Sequence, residues 1–569
     1  MNTARNATLG LAISASLSAG LAAPAAAALP GQSGSFSIST QVPRAGGPLP
    51  LYRLSRTAAP SQFVAGIVRG AGLSLRAEGS RLAARDAHGV LRAYSDPARG
   101  EAQIFPDLTL RGGNPDAAAM NRTKAAVFSR GDIVPHDATT IGIGAETVVA
   151  SADATAPASG GQSATQPQQL FTYVSALRRA DGLPVYGIGS KATVGIGPDG
   201  SVRALVRRWQ AAQRAGSVAP ALGPAQVVAA IRGQLAGYLA AGDTVDVKRV
   251  ALAYYDGDAA YLQPIYYFEA GIRTPGGDRD AAVGYVPFGK SVEPIVSLAA
   301  PSTAQAQPTG VAGGAGRSGV VSDGGSSEIA LGEYANDDGQ TVSQGNYLLA
   351  GLQTYGGGIF GPPIERTQYY WATPAAYIGS SAQSYINAVH VAHTPPHGNW
   401  WLNTTNGRGE GYFYIQNIGT GGNPGYGAAS GGKLATWIMD SCENAPSYYD
   451  LQYTTGNGNA AFTYWWPVFQ GLHHLLAYRS MMYINQTPLD QQFGEDAETG
   501  SNVASAWYND NASWYAQYSG TTYLDTNINA YVHYGRVSIF QDTRNENETI
   551  YDVQGQSAAS NLNNSWMNN

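Results

Sequence analysis

The sequence predicts an α+β region followed by an α/β domain built on parallel strands, and three observations carry that reading. Residues Gln169 to Gln210 alternate apolar and polar side chains between turn signals, and a stretch of helical spacing follows. Nine of the ten tryptophans lie beyond residue 325, so composition changes there. Beyond that point two short apolar runs each stop just before a chemically active side chain, as buried strands of an open α/β sheet do.

Taken in order, the chain opens "MNTARNATLGLAISASLSAGLAAPAAAALPGQ". Basic Arg5, a short run of small apolar residues and an Ala-x-Ala site at Ala26 and Ala28 read as an export signal over 1–28, giving a secreted or periplasmic protein. No later segment has eighteen apolar residues in a row, so no membrane span is expected. Residues 29–160 carry weak alternation and Gly-rich breaks. Within 161–299, Asp181-Gly182 and Pro198-Asp199-Gly200 punctuate an antiparallel meander. Gly223 to Ala240 has apolar residues three and four apart after a proline start, which suits a helix on that sheet. Two further strands, "VKRVALAYYD" and "YLQPIYYFEAGI", complete the unit. Small residues, Gly and Pro dominate 300–327, an exposed linker. The second domain then covers 328–569.

Charge narrows the function. Net charge is −6, 13% of residues are charged, and no dense Lys/Arg run exists. Nucleic acid and anionic membranes are not favoured as partners. Hydrophobic content of 44% describes a chain able to bury a sizeable core.

In "SYINAVHVAHTPPHGNWW" an apolar run is stopped by Pro395 and Pro396, leaving His397 and Gly398 just past the strand end. In "KLATWIMDSCENAP" a second run ends at Met439, and Cys442 follows Asp440 and Ser441. Cys442 is the only cysteine, so it forms no internal disulfide and is either an inert buried thiol or one kept for chemistry. If the two strands are parallel neighbours, His397 and Cys442 meet at one sheet edge. Free cysteine has a pKa of about 8.5, so a nucleophilic thiol needs an imidazole close by to stabilise the thiolate and protonate a departing amine. The amides of Gly398 and Cys442 are candidates for the oxyanion site, where one donor is worth roughly 3 to 4 kcal/mol. Glycine there lets backbone approach substrate.

The pattern of strand, His-Gly, then strand, small residue, Cys resembles the clan CD cysteine peptidases, which include caspases, metacaspases, legumains, gingipains and clostripain. Asp440-Ser441-Cys442 is similar to the Asp-x-Cys of metacaspases. The resemblance spans about 330–480 and implies a caspase-like α/β sandwich, a mostly parallel sheet flanked by helices. It implies further a His397–Cys442 dyad that cuts peptide bonds without a cofactor, and a substrate-binding Asp440 that favours Arg or Lys before the scissile bond. Residues 161–299 resemble the PepSY and related propeptide-like modules that precede secreted bacterial peptidases. A protein or peptide substrate and the chain's own N-terminal prodomain are thus the implied partners, the latter assisting folding or blocking the site until a cut in the linker, which contains Arg317.

Other features read more simply. His390, His393 and His397 do not share a face on a strand, and no HExxH occurs, so no metal site is expected. His88-Gly89 reads as a turn, as does Asn336-Asp337-Asp338-Gly339, which lacks the full calcium-loop pattern. The run Phe462 to Tyr483 has near-helical apolar spacing and reads as a core helix carrying His473 and His474, either of which could wall a pocket near Cys442. Dense aromatics beyond residue 325, among them Trp400, Trp401, Trp465, Trp466, Trp507 and Trp514, support an alternative: an exported glycan-binding or adhesive protein whose Cys442 is structural.

Overall fold

At Asp181-Gly182 both residues adopt positive φ, 52° and 78°, the geometry a two-residue hairpin demands. The computed structural model describes residues 34–156, 163–239, 242–273, 279–295, 328–336, 339–356, 359–405 and 411–568. The expected signal segment, the expected linker and two residues of the acidic turn at 336–339 lie outside them. No helix among the described residues is long and apolar enough to cross a membrane.

The N-terminal elements that bear on function are β1 (Thr147–Thr155), β2 (Gln168–Ala180), β3 (Leu183–Gly187), β4 (Lys191–Ile196) and β5 (Val202–Arg208). They pair antiparallel in the order β1, β2, β4, β5, so the meander forms where the alternation and turns place it. Helix α1 (Pro224–Gln234) starts at a proline, and the Gly223 amide donates to Gln226 Oε1 at 2.8 Å. Its Val227 and Ile231 pack with Val245, Val247 and Phe268. Strands β6 (Thr244–Asp256), β7 (Tyr261–Arg273) and β8 (Arg279–Pro287) follow as an antiparallel set.

The C-terminal part begins with β9 (Ile329–Ala335), α2 (Gly339–Leu352), β10 (Ile364–Trp371), β11 (Val391–Thr394), β12 (Thr436–Met439) and β13 (His474–Tyr478). These strands run parallel in the order β10, β9, β11, β12, β13. Two buried helices, α3 (Thr487–Glu498) and α4 (Val503–Ala516), precede β14 (Val537–Asp542) and β15 (Asn561–Met567).

The expected mostly parallel, helix-flanked caspase-like sandwich is not what forms. Strand β13 is no edge: it pairs antiparallel with β14, β14 with β15, and β15 with β1, more than four hundred residues earlier. The five parallel strands are therefore one part of a large mixed sheet, mostly antiparallel, that continues into the N-terminal meander. Local periodicity reports which residues are buried but not which distant strand they meet, so this continuation is invisible in the sequence. The expected core helix over 462–483 is also corrected. Only Ala460–Trp465 is helical, Pro467 and Gly471 (φ 95°) follow, and β13 is buried along its whole length, which mimics an apolar helix stripe.

Helix α4 packs between β4 and β5 on one side and β13 and β14 on the other. Its buried polar residues find partners from both halves: Tyr173 donates to Asn509 at 2.8 Å and Tyr478 to Asn511 at 2.7 Å.

Candidate active site

Parallel pairing sets the geometry. Thr394 at the end of β11 lies opposite Met439 at the end of β12, and His397 and Cys442 each follow three residues further on. Pro395 and Pro396 lack N–H groups, so β11 cannot continue, and the chain turns with the His397 carbonyl accepting the Thr404 amide at 2.8 Å. Gly398 then passes against the cysteine loop so closely that a Cβ on it would sit 2.4 Å from the Cys442 carbonyl oxygen. Ser441 ties the loops together by donating to the Thr394 carbonyl at 3.1 Å while accepting from Asn403 at 2.8 Å. His397 and Cys442 line one narrow pocket, with Asp280, Gln344, Asp440 and Met482 around them.

After the sulfur the backbone turns through Glu443, a non-glycine residue at φ 53°. Such a conformation costs of order 1 to 3 kcal/mol and persists only where its surroundings hold it. Here Tyr523 donates to Oε1 of Glu443 at 2.6 Å, Asn527 donates to Oε2 at 2.9 Å, and the Glu443 amide reaches the Ser480 carbonyl.

The thiol is 3% exposed and bracketed by the main-chain groups of one residue: Met482 N–H donates to Sγ at 3.4 Å, and Sγ approaches the Met482 carbonyl at 3.8 Å. Burial pushes its pKa well above the usual thiol range, and the Asp280 charge raises it further, ahead of Glu443 and Asp440. Both effects favour the neutral thiol over the thiolate. Asp280, on β8 of the N-terminal half and 2% exposed, bonds His397 Nδ1 through Oδ1 at 2.9 Å. Its other oxygen, Oδ2, is buried without a hydrogen-bond partner among the described residues.

Asp440 faces the pocket but is already engaged. Gln486 donates to Oδ1 at 2.6 Å, Gln344 to Oδ2 at 3.2 Å, and His393 Nε2 lies 3.8 Å away. Burial works against the His393 imidazolium, yet hydrogen bonds to Asp440 and Glu333 prevail and its pKa is pushed up to about 9. Behind them the Asp490 carboxyl is held well above the usual range by burial and by Asp440.

The three histidines considered for metal go to separate partners: His390 Nδ1 accepts the Ala330 amide, His393 meets Glu333 at 2.7 Å, and His397 meets Asp280. His473 and His474 stand at the opposite end of the parallel strands, at the start of β13, where His473 pairs with Glu548. Trp465, Trp507 and Trp514 are buried, while Trp400, Trp401 and Trp466 are partly covered.

No protein-family model matches this chain, and no curated protein matches it. Among solved structures, an uncharacterized protein from Eubacterium rectale ATCC 33656 aligns with 8% identity over 46% of this chain and 91% of its own, at a TM-score of 0.26.

Sequence reasoning did not name Asp280, Met482 or His393 as parts of this site. Asp280 sits in an alternating strand segment like many others, and only the tertiary fold brings it across 117 residues to His397. His393 carried a signal: a histidine inside an apolar run has to be paired when buried.

Proposed function

We propose that the protein is an exported cysteine endopeptidase held latent by its own N-terminal half. The observation that carries this reading is the convergence of the chain's single thiol with His397, in one pocket, past the ends of neighbouring parallel strands. Cys442 attacks the substrate carbonyl carbon and His397 takes the thiol proton, then gives it to the departing amine. Water afterwards hydrolyses the thioester. The amides of Gly398 and Cys442 face the developing oxyanion. No cofactor takes part.

Latency accounts for a thiol that is both buried and hard to ionise. Asp280 holds the His397 ring and sets a carboxylate beside the sulfur, so the region before the linker acts as a prodomain. Asp440 is the proposed substrate-binding carboxylate, but the His393 imidazolium offsets its charge, so a basic side chain gains less from it than from an unpaired carboxylate.

The test compares hydrolysis of a mixed peptide library by full-length Asp280→Asn protein with the same protein also carrying Cys442→Ala or His397→Ala. Cleavage that either added change abolishes is the expected result. A folded Asp280→Asn protein that cleaves nothing and whose thiol resists iodoacetamide overturns the proposal.

A further inference from the structure

The segment that follows β13 does more than touch the sulfur. The main-chain N–H and carbonyl of its Met482 bracket Cys442 Sγ, and the next three residues meet the outer edge of β8. Tyr483 forms a parallel bridge with Ala281, and the Ile484 amide donates to the Ala281 carbonyl at 2.9 Å. The Asn485 carboxamide then completes the contact from its side chain: Oδ1 accepts the Val283 amide at 3.1 Å, and Nδ2 donates to the Val283 carbonyl. One carboxamide thus grips both main-chain groups of a single residue, which recognises an extended backbone and ignores its side chain. On its other side β8 is paired with β7.

We propose that Met482–Asn485 is the edge on which a peptide substrate is laid as an extended strand, with Asn485 as its main-chain clamp and β8 as the present occupant. This deepens the peptidase reading and rests on it. Unpaired strand edges recruit extended peptides through backbone hydrogen bonds. This edge begins at the nucleophile itself, so a strand laid on it passes its carbonyl groups beside Sγ, the positioning that a bond-cutting thiol needs. The substrate class follows: unfolded or extended polypeptide with free main-chain N–H groups, not a folded helix.

Val283 points its amide outward to Asn485, so proline at 283 removes that donor and leaves the pairing of β8 with β7 in place. The full-length Val283→Pro protein is therefore compared with the Val283→Pro/Asn485→Ala double variant. Three quantities are measured: iodoacetamide labelling of Cys442, peptide hydrolysis, and binding of a fluorescent peptide with the sequence of Arg279–Pro287. Val283→Pro is expected to label faster than wild type. Adding Asn485→Ala is expected to raise KM and weaken peptide binding, each about tenfold, without slowing labelling, because two hydrogen bonds are lost. A version of the peptide N-methylated at its fifth residue, the counterpart of Val283, is expected to bind Val283→Pro more weakly than the parent peptide does, because one of the two bonds to Asn485 is lost. Equal binding with and without the Asn485 carboxamide overturns the inference. Absence of hydrolysis alone counts against the peptidase, since peptide binding still decides the edge. Should Val283→Pro not fold, Asn485→Ala by itself must speed labelling of the otherwise wild-type protein, and an unchanged rate overturns the proposal.

Discussion

Asp280 Oδ1 lies 2.9 Å from His397 Nδ1, a contact between a strand of the N-terminal half and the loop that follows β11. A carboxylate in that place can serve in two ways, and they differ in sign. An orienting acid speeds catalysis by fixing the imidazole. A latch slows it by occupying the site and opposing the thiolate. The charge on Asp280 raises the Cys442 pKa more than do the carboxylates of Glu443 and Asp440, Glu443 being its neighbour in sequence, which favours the latch. Asp280→Ala is expected to speed iodoacetamide labelling at pH 7.5 and to shift the labelling midpoint toward lower pH, because a charge that opposes the thiolate is gone. A slower reaction would assign Asp280 the orienting role instead.

His393 gives the fold a pH dependence of definite sign. Its native pKa is pushed up to about 9, while an unfolded histidine titrates near 6.5. Between about 6.5 and 9 the native state holds a proton that the unfolded state has lost, so the pair's contribution is fully present below about pH 6.5 and disappears as pH rises through about 9. Urea unfolding at pH 6 and at pH 9 is expected to show this fall in wild type and a flatter profile in His393→Gln. At pH 6 the substitution is expected to cost about 3 to 5 kcal/mol, because Asp440 is left buried without a cation and Glu333 keeps only Arg366, 3.6 Å away.

What could be seen in the sequence was whatever depends on neighbours. The turns at Asp181-Gly182 and Asp199-Gly200, helix α1 from Pro224, and the ends of β11 and β12, three residues before His397 and Cys442, all follow from local pattern and backbone chemistry. The architecture around them does not. Strand β15, "NLNNSWM", is so polar that nothing marks it as a central strand, yet it lies between β14 and β1 with Asn563 and Asn564 buried. Asn564 stays there because its amide finds Ser538 Oγ and the Ile539 carbonyl at 3.1 Å, partners that only the folded sheet supplies. The mistaken helix at 462–483 has a similar origin, since a strand buried on both faces has no alternation to show.

Gly398→Ala tests how tightly the two loops must approach. A methyl group there meets the Cys442 carbonyl oxygen at 2.4 Å and the Ser441 Cβ at 3.0 Å, and neither belongs to the far end of a flexible side chain. One loop has to move. Overpacking of this kind costs typically about 1 to 3 kcal/mol, and thermal denaturation should register it. Peptide cleavage in an unlatched background is expected to fall by about a hundredfold or more, since displacements of about 1 Å at reacting groups have that effect. Activity close to that of the parent would remove Gly398 from the oxyanion site.

The same sheet that carries the site also decides what a cut in the linker can do. Seven residue pairs join β15 to β1, from Asn561 opposite Thr155 to Met567 opposite Val149. One apolar core contains Tyr186, Tyr267 and Tyr285 from before the linker together with Tyr483, Trp507 and Tyr518 from after it. Tyr186 and Tyr267 stack with ring centroids 4.1 Å apart, and Tyr518 stacks on Tyr186 at 5.6 Å. Separating the halves would bare this core and leave β1 and β15 as long unpaired edges. A chain cut within 300–327 is therefore expected to run as one particle on gel filtration, both fragments eluting together until denaturant is added. Trp566→Ala, which removes a buried ring from β15, is expected to weaken the association by about 3 to 5 kcal/mol, read as a lower urea midpoint for fragment release. Fragments that part on simple dilution would show that the prodomain is shed whole. Co-elution would mean that release of the site comes from movement of β8 alone, with Asp280 leaving His397 and Val283 leaving Asn485 while the rest of the N-terminal half stays in the sheet.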